Sequence, residues 1–183
     1  MSKVTDFIAQ FEGNVAHFYL DSLGYVTVGV GHKVEGQDGA ELLTMVDRLS
    51  YEPASVTEKR NEYAWVLRAD PDHVASYYLQ CTNLNMPDNA IADLLQQDVN
   101  HMVSGLSRGV SNFTHIPGDV QVALTDMAFQ FGVAGLLTKW PRLLAAVQDG
   151  DFAIAALECQ STHVSPHRNQ ARHDLFLSGI TGK

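Results

Sequence analysis

The chain has 183 residues, 45% apolar and 18% charged, which suits one folded domain with a buried core and excludes a disordered or low-complexity chain. Twelve Lys and Arg against 21 Asp and Glu give a net charge of −9, which argues against a nucleic-acid binder held by phosphate contacts. Only residues 139 to 183 run slightly basic, with His163, His167 and His173 among them, so any attraction to an acidic substrate is expected from that end.

The opening MSKVTDFIAQFEG has no long apolar run, so neither a cleavable signal peptide nor a membrane anchor is expected, and synthesis in the cytoplasm is. Ser2 is placed to cap a first helix in which Val4, Phe7, Ile8 and Phe11 fall at i, i+3, i+4 and i+7. Gly13 is its expected stop, which leaves Glu12 in the last turn. From His17 to Val34 the period changes to two. HFYLD, the turn residues Ser22, Leu23 and Gly24, and then YVTVGVG predict a small β-hairpin with Val26, Val28 and Val30 facing inward. Tyr25, Thr27 and the glycines then take the outward face.

Helices are predicted near 40 to 50, over 56 to 69 where Ser55 and Glu58 have capping-box spacing, and over 72 to 81. A longer helix runs from about Pro87 to Leu106, with Ile91, Leu94, Leu95, Val99 and Met102 on one stripe and the proline at its first turn. Asp119 is placed as the cap of VQVALTDMAFQF, which is apolar nearly all round and stops at Gly132, so it should form a buried centre. Short helices near 140 to 148, 151 to 160 and 168 to 177 are expected around it. The fold class that follows is α+β and mostly helical.

Cys81 and Cys159 form no C-x-x-C pair, so two buried free thiols are expected. His163 and His167 are separated by Ser165-Pro166, which interrupts any helix that would present both to one metal, and no cofactor or metal is expected.

The candidate chemistry lies at Glu12, Asp21 and Thr27: a carboxyl after a helix, a carboxyl at a strand end and a hydroxyl on the next strand. The negative end of a helix dipole and partial burial would both favour the protonated form of Glu12, which suits a general acid. Asp21, beside a turn, is expected to stay ionised and to act as base or to stabilise a developing cation. One protonated and one ionised carboxyl is the division that glycoside hydrolysis requires, with Thr27 holding the attacking water.

Glu12-x8-Asp21-x5-Thr27 is embedded in FEGNVAHFYLDSLGYVTVGVGH, with the Gly24-Tyr25 turn and the Gly29-x-Gly31-His32 exit. This segment closely resembles the catalytic hairpin of the T-even phage lysozyme family of glycoside hydrolases. LLQQDVNHMVSGL at 94 to 106, ALTDMAFQFG at 123 to 132 and SPHRNQARHDLFLSG at 165 to 179 resemble the family's long connecting helix, central helix and closing helical segment. The resemblance implies one lysozyme-like domain over 1 to 183. A small hairpin lobe would cover about 13 to 86 and a helical lobe about 87 to 183 plus the first helix, with a substrate cleft between them. It also implies a muramidase that cleaves the β-1,4 bond between N-acetylmuramic acid and N-acetylglucosamine with inversion. Glu12 would be the proton donor, with Asp21 and Thr27 activating water. Phe129 and Gln130 match cleft-facing family positions. Lys33, Trp140 and Glu158 do so more loosely, since they differ in residue type. His32 and Asp98 match a structural ion pair that ties the hairpin to the long helix.

Two departures stand out. The stretch from Gly36 to Met86 is longer than the family's usual connection, and its Tyr51, Tyr63, Trp65, Tyr77 and Tyr78 align with nothing, which suggests an inserted pair of helices with those aromatics in the core. The acidic net charge is opposite to what suits an anionic cell wall. The implied roles are a phage endolysin or an antibacterial effector delivered by a dedicated machine, acting on periplasmic or cell-wall peptidoglycan. A monomer is expected, without membrane insertion, and for an effector an immunity protein as partner. The alternatives are a glycan-binding scaffold that has lost turnover, or a hydrolase acting on chitin or chitosan.

Overall fold

The computed structural model describes residues 2–181, and the chain is α+β and mostly helical. It divides into two compact units, one formed by Glu12–Gln96 and the other by the residues up to Phe11 together with those from Gln97 onward. Among the described residues no single helix is long and apolar enough to cross a membrane.

The unit formed by Glu12–Gln96 is built on a three-stranded antiparallel sheet, β1 (Val15–Leu20), β2 (Val26–Gly29) and β3 (His32–Lys33), in that order. The sequence predicts only a hairpin. The third strand forms because Gly29 and Gly31 adopt φ of 65° and 71°, left-handed values that glycine takes without steric cost and that fold His32 and Lys33 back onto β2. Phe18, Leu20, Val26 and Val28 fill the buried face, as the alternation demands.

Beyond the sheet come α2 (Gly36–Leu42), β4 (Val46–Asp47), α3 (Val56–Leu67), a 3₁₀ helix (Ala75–Cys81) and β5 (Leu84–Asn85), with β4 and β5 paired antiparallel. The stretch from Gly36 to Met86 therefore holds two α-helices, a 3₁₀ helix and a small second sheet. The helix expected near 40 to 50 is corrected: α2 ends at Leu42, Val46 pairs with Asn85, and Asp47 Oδ1 accepts from the N–H groups of Leu49 and Ser50, which turns the chain. The segment at 72 to 81 is a 3₁₀ helix rather than an α-helix. The capping box of α3 is formed in both directions, Ser55 N–H donating to Glu58 Oε2 at 2.7 Å and Glu58 N–H to Ser55 Oγ at 3.2 Å. The aromatics expected in the core divide: Tyr63 and Tyr78 are buried, Tyr77 is half-buried, and Tyr51 and Trp65 are exposed.

The long helix α4 (Asp88–Gly109) starts one residue after Pro87, whose carbonyl accepts from Ile91 N–H. Ile91, Leu95, Val99 and Leu106 form its buried stripe.

In the other unit, Ser2 Oγ accepts from Thr5 N–H and caps α1 (Lys3–Ala9). The central helix is α5 (Gly118–Phe131), with Val120, Ala123, Leu124, Met127 and Ala128 in the core. Asp119 is not its cap. The residue lies inside the first turn, where its carboxylate is taken by Lys3 and Ser178, and Pro117 precedes the helix. Four helices follow: α6 (Val133–Lys139), which the sequence reading lacks, α7 (Pro141–Asp149), α8 (Phe152–Glu158) and α9 (Pro166–Thr181). Asp126, fully buried on α5, accepts from Arg168 and Arg172 of α9. Removing one partner of such a buried set typically costs about 3–5 kcal/mol, so it fixes the docking of α9 on α5.

Candidate functional site

Glu12 lies three residues beyond the end of α1, in a bend, and is half-buried. The expectation that it occupies the last helical turn is thereby corrected. The helix closes early, with Gln10 and Phe11 N–H groups already bonded to Phe7 and Ile8 carbonyls. A helix dipole acts mainly over its terminal turn, and Glu12 lies outside that turn.

Asp21 follows directly on β1 and organises the turn that joins it to β2. Its Oδ1 accepts from Leu23 N–H and Tyr25 N–H, both at 2.9 Å, while its backbone pairs with Tyr25 and Gly24. Gly24 has φ 78°, the left-handed value this tight connection needs. Among the described residues no donor bonds the second carboxylate oxygen, Oδ2. One oxygen of Asp21 is thus held by the backbone, and the other is not.

Thr27 lies opposite Tyr19 on one side and opposite Lys33 on the other. Directly paired residues project to the same face, so Tyr19, Thr27 and Lys33 form one row across the sheet, on the side away from the valines. The face is not open, however. Thr27 is 2% exposed, so its short side chain is covered. Its hydroxyl donates to Tyr25 O at 3.1 Å, which leaves its oxygen lone pairs as acceptors. Lys33 Nζ stands 3.7 Å from the centre of the Tyr25 ring and 3.7 Å from Glu35 Oε1, so its charge is held along the same sheet edge.

Tyr19 links the pieces. Burial pushes its phenol above the ordinary value of 10, and the carboxylates of Asp21 and Glu12 push in the same direction. Both acids therefore lie within electrostatic reach of the residue paired with Thr27. Sequence reasoning does not single out Tyr19, although its position two residues before Asp21, at the end of a strand with period two, carries the signal.

The remaining expected residues occupy other surroundings. His32 is half-buried on β3 of the Glu12–Gln96 unit, and Asp98 is half-buried on the part of α4 that belongs to the other unit. Within that unit Gln130 is exposed and its Oε1 accepts from Arg172 Nη2 at 2.7 Å, while Phe129 is half-buried. Trp140 packs on Phe131 with ring centres 4.5 Å apart, the geometry of a packed aromatic. Glu158 Oε1 lies 3.1 Å from Arg142 Nη2. Of the two thiols expected to be buried, Cys159 is, with burial pushing its thiol up to about 11, whereas Cys81 is only half-buried. No family model and no curated protein matches this chain.

Proposed function

We propose that the chain is a peptidoglycan hydrolase on a lysozyme-like fold, a muramidase cleaving the β-1,4 bond between N-acetylmuramic acid and N-acetylglucosamine. The observation that carries this reading is that the carboxylates of Glu12 and Asp21 both act electrostatically on Tyr19, the residue directly paired with Thr27 in the sheet. Glycosidic cleavage needs a proton for the leaving oxygen and a base for water. Glu12 supplies the proton. Asp21, oriented through Oδ1, takes the proton from water at Oδ2, and Thr27 accepts the second hydrogen of that water because its own proton is committed to Tyr25 O. Water attacks the anomeric carbon as the glycosidic oxygen leaves with the Glu12 proton, so configuration inverts and the proton count balances. No cofactor takes part. The enzyme acts on cell-wall peptidoglycan, as a phage endolysin or as a delivered antibacterial effector.

The test is incubation of wild-type and Glu12→Gln protein with purified sacculi, with fragments identified by mass and reducing end. Fragments with new muramic acid reducing ends from wild type alone are the expected result. Binding to sacculi without any release would overturn the reading in favour of a glycan-binding scaffold.

A further inference from the structure

A concave site lies within the Glu12–Gln96 unit, in the stretch that resembles nothing in the lysozyme family. It is a cavity of about 330 Å³, at the small end of ligand sites, and it is lined along one side by Glu58, Asn61, Glu62 and Trp65. These positions are i, i+3, i+4 and i+7 of α3, so they form a single stripe of that helix. Asp47, Cys81, Asn83 and Leu84 close the other side.

The stripe is unusual in what it exposes. Trp65 is 63% exposed, although so large an apolar ring is ordinarily mostly buried. Next to it Glu62 is 7% exposed, its carboxylate accepting from Asn83 N–H at 2.7 Å and Leu84 N–H at 3.1 Å. Asp47 and Glu58 are already engaged in the local turn and the capping box. The side-chain amides of Asn61 and Asn83 have no hydrogen bond among the described residues, so they present donors and acceptors to whatever enters.

We propose that this cavity is an accessory saccharide site that takes a neutral N-acetylated pyranose. The apolar C–H face of such a ring lies against the Trp65 indole, and its hydroxyl and acetamido groups bond the Asn61 and Asn83 amides. The carboxylates of Asp47 and Glu58 still carry charge, so they disfavour an anionic sugar and select the uncharged one. The choice of glycan rests on the hydrolase reading above: a second grip on an insoluble polymer holds the enzyme on its substrate between cuts, an effective-concentration gain that requires no change at the catalytic residues.

The chain has two tryptophans, so two indole N–H resonances report separately on Trp65 and Trp140, with Trp65→Ala assigning them. Tri-N-acetylchitotriose is titrated into the full chain carrying Glu12→Gln, which removes turnover. The expected result is a saturable shift of the Trp65 resonance, with affinity falling about tenfold in Asn61→Ala. A Trp65 resonance that stays still overturns the proposal. So does a larger shift with Nα-acetyl-lysine amide than with the trisaccharide, which assigns the cavity to a cationic peptide partner instead. Because the readout is binding, a failure of sacculus hydrolysis with the Trp65 shift intact counts against the hydrolase reading and leaves the saccharide site standing.

Discussion

The sheet face around Thr27 and the cavity along α3 are assembled from the same materials within one unit: carboxylates, an aromatic ring and backbone N–H groups. They differ in what those N–H groups leave over. At Asp21 both bonds fall on Oδ1, and the turn is held while the other oxygen is spared. At Glu62 the bonds from Asn83 and Leu84 reach both oxygens of a nearly buried carboxylate. A carboxylate anchored on one oxygen is a reagent on a fixed arm. One anchored on both is a strut between α3 and β5, and burial pushes it up to about 7 against the opposing pull of those bonds and of the Arg48 charge.

The comparison is tested most severely by turnover. Glu12→Gln keeps the size of the side chain and removes its donatable proton, so kcat should fall by about three orders of magnitude with the thermal midpoint unchanged. Asp21 allows a finer separation. Asp21→Asn retains the oxygen that accepts from Leu23 and Tyr25, so the turn survives, while the base is lost and kcat should drop about a hundredfold. Asp21→Ala loses the turn acceptor as well and should cost about 1 kcal/mol more in unfolding free energy than Asn. Equal stability of the two variants would show that the Oδ1 bonds do not matter to the turn. Tyr19→Phe is smaller again. It removes one hydroxyl beside the two acids, and kcat should change by no more than about tenfold, with the alkaline limb of the pH–rate profile as the sensitive readout.

How well the sequence could be read differs between the same two places, for a physical reason. The hairpin that carries Asp21 and Thr27 is local. Its turn residues, its period of two and its spaced acids all lie within about twenty residues, so the placement of Asp21 and Thr27 follows from short-range rules. Glu12 was harder, because Gly13 suggested a helix stop whereas α1 already ends at Ala9. The third strand depended on two left-handed glycines, and no periodicity records those. Between Gly36 and Met86 the capping box marks the start of α3, and the stripe from Glu58 to Trp65 has plain helical spacing. Its significance, however, comes from β4 and β5, whose pairing of Val46 with Asn85 joins segments almost forty residues apart. The Asp126, Arg168 and Arg172 cluster is equally non-local, and three charged residues scattered over two helices look like solvated surface until α9 docks on α5.

The smallest effect concerns the strut itself, and its sign is fixed by linkage. Glu62 in the folded chain holds its proton up to about 7, whereas the same side chain unfolded releases it near 4.5. Below about 4.5 both states are protonated, and this group's contribution to stability is fully present. Between 4.5 and 7 only the folded state retains the proton, so unfolding releases it and stability falls as pH rises; above 7 the loss is complete. His17 works in the opposite direction. Burial lowers its affinity for a proton, so its contribution is lost as pH falls. Wild-type stability alone therefore mixes the two. Glu62→Gln keeps an oxygen for the Asn83 and Leu84 N–H groups and cannot ionise, so the difference in denaturation midpoint between wild type and this variant isolates Glu62. Relative to the variant, wild type should lose stability from pH 4.5 to 7 and then run parallel to it. A difference that stays flat across that window would mean that Glu62 is ionised in the folded chain throughout, paired electrostatically with Arg48 rather than neutralised by its own proton.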